Sequence, residues 1–299
     1  MNIKNVLVSG ATGFFGSYIL EELIKQGFKV IILKRSFSNT WRINHLLPKI
    51  KCYDIDKVSL VQIFQENVID VVIHTATLYG DNGERLTEII NSNTIFPLEV
   101  LEISIQKGVQ YFINMDTFYT TEMELPSQLG YYVFSKKHWL DYAKKMCIQS
   151  EINFINLKIE NIYGPRENKN RFIPFIINKI LNKENKIDLT KGEQIRDFIH
   201  VKDAAKACLF ILNNLNSCSS GFFETGLGSG NLITIHKLVL LIKKKMNSDI
   251  SLNFGALDYR KNEIMDSHID ISFFQSRGWK PQFSIEEGIT DTLKYYLSK

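Results

Sequence analysis

The sequence predicts an α/β protein in which a doubly wound parallel sheet is followed by a smaller C-terminal domain. Short apolar runs alternate with helical patterns through the first half of the chain, which is typical of a parallel sheet covered by helices on both faces. After the segment NIYGPRE, residues 161–167, the chain changes to a loop rich in proline and charge and then to a mixed region. We therefore predict a first domain over 1–165, to which the chain returns near 203–226, and a second domain over 166–299.

The predicted elements follow in chain order. Strands are expected at VLVSG, KVIILK, the DI of KCYDID, VVIHTA, YFINM and FINLKI. Helices are expected from Tyr18 to Gln26, from Leu98 to Lys107, around Tyr132, at FIPFIINKIL and from Ser284 to Tyr296. The short distances between strand and helix signals fit right-handed crossover connections.

Composition excludes several classes of function. Apolar residues make up 44% of the 299 residues and charged residues 23%, as in soluble globular proteins. The net charge of +4 is spread along the chain, so nucleic acid is not expected as a partner. No apolar run approaches the ~18 residues of a membrane helix, and the chain begins with a strand rather than a signal sequence, so we expect no membrane partner and a cytoplasmic location. The four cysteines lack metal-ligand spacing and are expected to be free thiols, with no metal bound.

A glycine-rich turn connects the first predicted strand to the first helix. It reads GATGFFG, with glycines at Gly10, Gly13 and Gly16. Glycine lets the backbone turn sharply there and approach a pyrophosphate, which binds at the positive N-terminus of a helix. Since the motif follows a strand and opens a helix, it predicts the dinucleotide site of a Rossmann sheet rather than a tight turn alone.

The end of the second predicted strand indicates which dinucleotide is bound. NAD sites of this kind usually place an acidic residue there for the ribose 2′-hydroxyl. This chain has Lys34, Arg35 and Ser36, which are donors suited to a 2′-phosphate. The sequence therefore predicts NADPH, and the alternative is that both cations point to solvent. Asp54 and Ile55, after the third strand, are predicted to lie at the adenine edge.

The segment GYYVFSKKHW contains two tyrosines and two lysines, and helical spacing distinguishes between them. One stripe of the predicted helix consists of Tyr132, Lys136, Trp139, Leu140, Ala143 and Cys147. A lysine on such an apolar face is costly unless the protein uses it, whereas Tyr131 and Ser135 are interpreted as a surface pair. A phenol has a pKa of about 10, and a nearby ammonium lowers it, so Tyr132 becomes a usable acid or base. Tyr132 and Lys136 are therefore the predicted catalytic pair.

These motifs, with NIYGP and RDFIHVKD at 196–203, resemble the extended short-chain dehydrogenase/reductases, the group of sugar-nucleotide epimerases, dehydratases and reductases. The resemblance covers nearly the whole chain. Within the group, GEQIRDFIHV, FGALDYRKNEIMDS and GWKP are most similar to the CDP-abequose and CDP-paratose synthases. Those oxidoreductases use NADPH to reduce the 4-ketone of a CDP-linked 4-keto-3,6-dideoxyhexose, which supplies deoxysugars for surface polysaccharide such as the O-antigen of lipopolysaccharide.

The resemblance implies a role for each matching residue. Tyr132 would protonate the C4 oxygen of the sugar as hydride reaches C4, while Lys136 would hold the nicotinamide ribose and lower the pKa of the phenol. The residues expected to hold the nucleotide diphosphate are Asn161, Arg196 and Arg260. An alternative for Arg196 is a structural ion pair with Asp197.

The resemblance also implies further cofactor contacts and a homodimer. Besides the glycines and the residues already assigned, the cofactor contacts are expected at Thr12, Phe14, Phe15, Thr75, Ala76, Thr77 and Ile159. Relatives usually dimerise through the helix that carries YxxxK and the helix before it.

One position departs from the family pattern. Relatives carry Ser or Thr four residues before the tyrosine at the strand end, but in NMDTFY that position is Met115. Thr117 lies two residues further along, on the same face of the strand, and is the predicted source of the missing hydroxyl. The alternative is that Tyr132 alone polarises the ketone.

Two other activities and a non-catalytic role are alternatives to a 4-ketoreductase. Dehydratases of this group use an Asp-Glu pair, and here Asp116 is followed by Thr117, so a dehydratase is disfavoured. A 4-epimerase, which retains NAD, is the main alternative, but Lys34 and Arg35 favour a reductase that exchanges NADPH. A non-catalytic dinucleotide-binding protein is a lesser alternative, because such proteins commonly lose the tyrosine and the lysine.

Overall fold

The computed structural model describes residues 3–81, 83–121, 130–218 and 221–298. The described residues divide into two compact units. The first unit contains those within Met1–Met123, Gln128–Lys158 and Ala205–Thr225, and the second contains those within Ile159–Ala204 and Gly226–Lys299.

Strands and helices alternate along most of the chain. The strands are β1 (Asn5–Ser9), β2 (Lys29–Lys34), β3 (Lys51–Asp54), β4 (Val71–His74), β5 (Tyr111–Thr117), β6 (Asn153–Ile159), β7 (Asn161–Tyr163), β8 (Lys186–Leu189), β9 (Ile195–His200), β10 (Phe222–Leu227), β11 (Leu232–Thr234) and β12 (Ser251–Phe254). The helices are α1 (Phe14–Lys25), α2 (Leu60–Glu66), α3 (Leu86–Ile90), α4 (Phe96–Gln106), α5 (Gly130–Ile148), α6 (Phe172–Leu181), α7 (Val201–Asn213), α8 (Ile235–Lys245), α9 (Ser272–Ser276) and α10 (Ile285–Leu297).

A seven-stranded sheet carries the first unit, in the order β10-β6-β5-β4-β1-β2-β3. The registers of β1 with β2 and β4, of β2 with β3, and of β4 with β5 are all parallel. The strand order reverses direction at β1, as in a doubly wound sheet, so the predicted fold class is confirmed. The carboxyl ends of β1, β2, β4 and β5 meet at one edge, where such folds bind ligands.

The core of the first unit lies between this sheet and its helices. It includes Leu7, Val72, Phe112, Trp139 and Phe154, all buried. The predicted stripe on α5 is confirmed, since its members from residue 132 to residue 147 are all buried, whereas His138 is exposed. A helix that packs one apolar face on a sheet thereby fixes which of its polar side chains lie inside.

The second unit is built from short strands and helices around its own core. Its sheets are β11-β9-β7 and β12-β8, and the core residues come mainly from α6, α8 and α10. The predicted helix FIPFIINKIL coincides with α6. The last helix starts where a capping box of Ser284 and Glu287 satisfies its first amides, one residue after the predicted start.

One difference from the predicted elements lies before α4. The helix expected from residue 98 begins at Phe96, and a π-helical turn over Asn91–Ile95 joins it to α3 without a break. Pro97 is tolerated because it sits in the first turn of α4. Within the described ranges, no helix has both the length and the apolar character needed to cross a membrane.

Candidate active site

The glycine turn of the first unit brings β1, α1 and the end of β4 into close backbone contact. Gly10 has φ +76°, a conformation that glycine adopts at little cost. A Cβ atom on Gly10 would collide with the backbone nitrogen of Ala76, and one on Gly16 would lie 2.8 Å from Thr75 Oγ1 and collide with the Gly10 carbonyl. Glycine is therefore required here because the backbones of three elements approach closely, and a tight turn alone would not require it at both positions.

This turn has the features that a bound dinucleotide requires. Gly13 is the N-cap of α1, and the first turn of the helix contains no acidic residue. Its first amides lack intrahelical acceptors and point out of the helix N-terminus, where they favour an anion. Thr12, Phe14 and Phe15 surround this end of the helix and are partly exposed. The residues present thus fit the pyrophosphate of a dinucleotide.

The loop after β4 is fixed by polar contacts. Thr75 donates its hydroxyl to the Ser9 carbonyl at 2.8 Å, and its amide bonds the same oxygen at 3.0 Å. Asn93, in the π-helical turn, accepts from the Leu78 amide at 2.7 Å and donates to the Leu78 carbonyl at 2.8 Å. The predicted contacts Thr75, Ala76 and Thr77 therefore lie on a loop held at both ends.

The three donors predicted to bind a 2′-phosphate lie at the end of β2, but two of them already have acidic partners. Lys34 Nζ is hydrogen-bonded to Asp54, the residue predicted at the adenine edge. Ser36 donates its hydroxyl to Asp56 at 2.5 Å and its amide to the same carboxylate at 2.7 Å. Arg35 is exposed and lies 4.8 Å above the ring of Phe37.

Those acidic partners change the electrostatics that the sequence suggested. Asp54 belongs to β3, the neighbour of β2, and its register partner is Lys34 itself. The hydrogen bond to Asp54 raises the pKa of Lys34, so the lysine stays charged, but its charge is largely balanced. Arg35 is left as the cation at this strand end that makes no ion pair with a described residue. The alternative in which both cations merely point to solvent does not describe Lys34.

Tyr132 and Lys136 both lie on the buried face of α5, each with 4% of its surface exposed. Lys136 Nζ donates to the backbone carbonyl of Met115 at 2.6 Å, which ties the middle of α5 to the end of β5. The ring of Tyr132 packs against Tyr79, with centroids 4.8 Å apart. Tyr79 was not predicted from the sequence, because its position after β4 brings it to α5 only in the folded chain.

Burial controls the protonation of the groups around this pair. Burial lowers the pKa of Lys136, and the negative charge of Asp116 opposes that effect. His74, at the end of β4, has a pKa of about 3 because it is buried and because Lys136 is positively charged. The imidazole is therefore neutral, and its Nδ1 lies 2.7 Å from the hydroxyl of Ser9.

The interpretation of Tyr131 and Ser135 as a surface pair was wrong for Ser135. Tyr131 is exposed, but Ser135 is buried, accepts from Asn93 Nδ2 at 3.1 Å and donates to the Tyr132 carbonyl at 2.7 Å. Thr94 also donates to the Ser135 carbonyl, at 2.9 Å. The π-helical turn packs on α5 at this point, a contact that periodicity within α5 alone does not reveal.

Met115 and Thr117 lie at the end of β5, and both are buried. Alternation along the strand puts their side chains on one face, as predicted. The Thr117 hydroxyl accepts from the Tyr119 amide at 3.4 Å, a long contact that leaves its proton available for another acceptor.

The opposite face of β5 carries a buried polar network that the sequence analysis missed. Trp139 Nε1 donates to Asn114, and Asn114 donates to Asn156 at 2.7 Å. Asn156 in turn donates to Asp116 at 3.0 Å and to Glu224 at 2.9 Å. Alternating polar residues in NMDTFY and the asparagine in FINLKI were the available signal, because buried polar groups are normally hydrogen-bonded to one another.

The residues predicted to hold the nucleotide diphosphate belong to the second unit. Arg196, on β9, is buried and donates to Glu263 at 3.0 Å and to the Ile195 carbonyl at 2.8 Å. Asn161 begins β7 and donates to the Asp197 carbonyl at 3.2 Å. Arg260 is exposed. Ile159, a predicted cofactor contact, is buried at the end of β6.

The ion pair considered for Arg196 exists, but with a different partner. Adjacent strand residues point to opposite faces, so Arg196 cannot easily meet Asp197. Asp197 instead accepts from the Ser229 hydroxyl at 2.5 Å and from the Ser229 and Gly230 amides at 2.9 and 2.8 Å. Glu263, 67 positions from Arg196, supplies the negative charge.

Known proteins are similar to this chain over nearly its whole length. A CDP-abequose synthase from Salmonella muenchen is 33% identical over 291 residues, covering 97% of both chains. The structure of a UDP-N-acetylglucosamine 4-epimerase from Methanobrevibacter ruminantium M1 in complex with UDP-N-acetylmuramic acid is 26% identical, with a TM-score of 0.84 over 100% of this chain and 99% of the other. A UDP-glucuronic acid 4-epimerase from Bacillus cereus, in complex with UDP-glucuronic acid and NAD, has the same fold, with 20% identity, a TM-score of 0.84 and coverage of 98% and 99%.

The family model described as the NAD dependent epimerase/dehydratase family matches residues 6–222. That range contains the glycine turn, the YxxxK helix, and Asn161 and Arg196, two of the residues predicted to hold the diphosphate. The chain belongs to this family, the extended short-chain dehydrogenase/reductases.

Proposed function

We propose that this protein reduces the 4-keto group of a nucleotide-linked deoxyhexose, with NADPH as the electron donor. The substrate is a 4-keto-3,6-dideoxy- or 4-keto-6-deoxyhexose carried on CDP, and the product is a deoxysugar for surface polysaccharide. The observation that carries the proposal is the buried Lys136, one helical turn from Tyr132 and tied to the end of β5, in the unit that contains the glycine turn. The CDP-abequose synthases, similar over 97% of the chain, support the choice of substrate.

Three side chains act on the sugar and the cofactor in the proposed reduction. When bound, NADPH supplies the hydride that is added to C4 of the sugar. Tyr132 donates its phenolic proton to the C4 oxygen, so that the ketone becomes an alcohol. Lys136 holds the nicotinamide ribose and stabilises the phenolate left on Tyr132. Thr117 donates a hydrogen bond to the same oxygen, in place of the hydroxyl that relatives carry at Met115.

The diphosphate of the substrate is assigned to the second unit. Arg196 offers a planar fork of donors suited to phosphate oxygens, and its contact with Glu263 fixes the direction of its side chain. Asn161 and the exposed Arg260 supply the other contacts. We assign the described parts of 1–165, apart from Asn161, and the return segment to cofactor binding, and the remainder to substrate binding.

A 4-epimerase that retains NAD is the second candidate, because one specific observation favours it. Asp54 balances the charge of Lys34, which weakens the case for a 2′-phosphate at this strand end. The two activities differ in cofactor stoichiometry. A reductase oxidises one NADPH for each sugar reduced, whereas an epimerase leaves the total reduced nicotinamide unchanged.

The deciding experiment supplies NADPH with CDP- and dTDP-linked 4-keto-6-deoxy- and 4-keto-3,6-dideoxyhexoses. We expect nicotinamide absorbance to fall only when a keto sugar is present, with CDP-linked sugars preferred, and NMR of the product to show one configuration at C4. In a parallel reaction with NAD and a 4-hydroxy sugar nucleotide, conversion without net change in reduced nicotinamide would support the epimerase instead. Binding of cofactor without either conversion would support a non-catalytic role.

We also propose that the protein forms a homodimer through α5 and the helix before it. The outward face of α5 carries large apolar side chains at helical spacing, among them Tyr131 and Phe134, each 62% exposed. Ile90 and Ile95, on the elements packed beside α5, are exposed as well. A surface of this kind on one helix pair is typical of an interaction site.

A charge placed in this apolar surface tests the dimer. Phe134→Glu is expected to convert the dimer to a monomer, as measured by light scattering after size-exclusion chromatography. The control is Phe175→Glu, because Phe175 is also exposed but lies on α6 in the second unit. Equal masses for wild type and Phe134→Glu would exclude this surface as the interface.

A further inference from the structure

Asp116 is a buried carboxylate that takes no part in the proposed reaction as described above. It has 5% of its surface exposed. One oxygen, Oδ2, accepts from the Thr120 hydroxyl at 3.0 Å and from Asn156 Nδ2 at 3.0 Å. The other, Oδ1, is buried without a hydrogen-bond donor among the described residues. Keeping a carboxylate ionised in such a place is costly unless a positive charge lies nearby.

The packing of α5 on β5 identifies that positive charge. Asn114 and Asp116 lie on the same face of β5, and Asn114 accepts from Trp139 Nε1 at 3.1 Å. The hydrogen bonds of Trp139 to Asn114 and of Lys136 to the Met115 carbonyl show that α5 runs antiparallel to β5. Going from Asn114 to Asp116 along β5 is therefore the same direction as going one turn back along α5, from Trp139 to Lys136. Asp116 faces Lys136 as Asn114 faces Trp139.

A hydrogen bond near the end of β5 shows how far along the strand the Lys136 ammonium lies. Lys136 Nζ donates to the carbonyl of Met115, the residue bonded directly to Asp116. The ammonium and the carboxylate are thus close without direct contact. An ammonium carries three protons, and the Met115 carbonyl uses one.

The other charged groups near this network are already balanced or neutral. Lys158, on β6, pairs with Glu224 of β10 at 2.6 Å. Glu224 also accepts from Asn156, so it shares a donor with Asp116. His74, on β4, is neutral because burial and the charge of Lys136 hold its pKa at about 3. Among the described groups, Lys136 is left as the cation that compensates Asp116.

We propose that Asp116 is a positioning residue that keeps Lys136 protonated and in place, and thereby sets the alkaline limit of the reduction. The inference rests on the proposed function. Asp116 itself transfers no proton, which distinguishes this role from that of the acid in a dehydratase. Burial alone lowers the pKa of Lys136, and the carboxylate counteracts it. Without Asp116 the ammonium would lose its proton at a lower pH, together with its hold on the ribose and its effect on Tyr132.

The test measures the protonation of Lys136 directly. Lysine side chains labelled with ¹³C and ¹⁵N are followed by NMR as pH is raised in the full-length protein without ligands, and the Lys136 signal is assigned with Lys136→Met. In Asp116→Asn, which replaces one carboxylate oxygen by an amide, the Lys136 titration is expected at lower pH than in wild type. The alkaline limb of the kcat profile is expected to move in the same direction, with kcat at about pH 8 reduced on the order of tenfold.

A matched control separates this role from general damage to the network. Glu224→Gln changes a carboxylate of the same network to an amide, but Glu224 pairs with Lys158, so the Lys136 titration is expected to stay at the wild-type pH. An unchanged Lys136 titration in folded Asp116→Asn would overturn the proposal, as would equal shifts in both variants. A shift of Lys136 in Asp116→Asn alone supports it.

The NMR measurement does not depend on activity. If the protein shows no 4-ketoreductase activity, the proposed function fails, while the link between Asp116 and Lys136 is still decided by the titration. If Asp116→Asn does not fold, wild type alone remains informative. The proposal requires Lys136 to be charged at about pH 8, and a neutral Lys136 there contradicts it.

Discussion

The two lysines proposed to hold the cofactor lie in opposite electrostatic surroundings. Lys34 is at the end of β2, with 14% of its side chain exposed, and is bonded to Asp54 of the neighbouring strand. Lys136 is on the buried face of α5, bonded to a neutral carbonyl, with Asp116 nearby. The surroundings shift the two pKa values in opposite directions: a bonded carboxylate raises that of Lys34, and burial lowers that of Lys136.

The difference in surroundings determines how strongly each ammonium can attract a bound anion. An ammonium that is balanced by its own carboxylate and partly solvated adds little further attraction for an anion, because water and the partner both screen it. A desolvated ammonium interacts more strongly with whatever enters its surroundings, since the local dielectric constant is lower. We therefore expect Lys136 to dominate the chemistry and Lys34 to make a small contribution to cofactor choice.

The largest effect is expected from Tyr132→Phe, which removes the proton donor from the buried face. The reduction rate should fall on the order of 10²–10⁴-fold, the usual contribution of a positioned acid, while NADPH affinity measured by fluorescence stays near that of wild type. Tyr131→Phe is the matched control, because Tyr131 is adjacent but exposed. Loss of activity in Tyr131→Phe with activity retained in Tyr132→Phe would reverse the assignment.

The next largest effect on kcat is expected from replacing Lys136, and the matching replacement of Lys34 serves as the comparison. Lys136→Met should reduce kcat on the order of 10²-fold, because both the ribose contact and the positive charge beside the phenol are lost. Lys34→Met should reduce kcat less than about tenfold, because its charge is already balanced by Asp54. Steady-state kinetics with saturating NADPH measures both. Equal losses would mean that burial does not distinguish these sites.

A smaller effect is expected on cofactor preference. Arg35→Ala should weaken NADPH binding on the order of tenfold and leave NADH binding unchanged, since the exposed guanidinium is the cation available for a 2′-phosphate. Lys34→Ala should weaken it less. Titrations of both nucleotides provide the measurement, with Lys29→Ala, at the opposite end of β2, as the control. If wild type binds NADH and NADPH equally, the predicted NADPH preference is wrong.

The smallest effect concerns stability in acid. His74 has a pKa of about 3 in the folded protein against an ordinary value of 6.5, so the unfolded chain takes up a proton first as pH falls. The contribution of His74 to the free energy of unfolding is present above about pH 6.5 and is lost progressively down to about pH 3. His74→Asn should reduce the slope of the unfolding free energy against pH, measured by urea unfolding, by about 1.4 kcal/mol per pH unit at most. The matched control is His45→Asn, at an exposed site. An unchanged slope in His74→Asn would show that the imidazole is charged or exposed.

Local patterns were sufficient for the parts of the fold that depend on neighbours in the chain. The alternation of apolar runs and helical periods predicted the parallel sheet, and the helical stripe from Tyr132 to Cys147 predicted which lysine is buried. The glycine turn was predicted because backbone conformation and close approach depend on a few consecutive residues. These inferences succeed because periodicity within one element determines which face is apolar.

The partners of charged side chains could not be obtained in this way. Lys34 and Asp54 are 20 positions apart and meet through strand register, and Arg196 and Glu263 are 67 positions apart. Ser135 is buried because a π-helical turn packs on it, and Asp116 lies near Lys136 because α5 packs on β5. The sequence by itself determined the first six strands, the main helices, their apolar faces and the candidate chemistry. Tertiary structure alone decided which charges are balanced and which are desolvated, because these properties depend on distances between residues far apart in the chain.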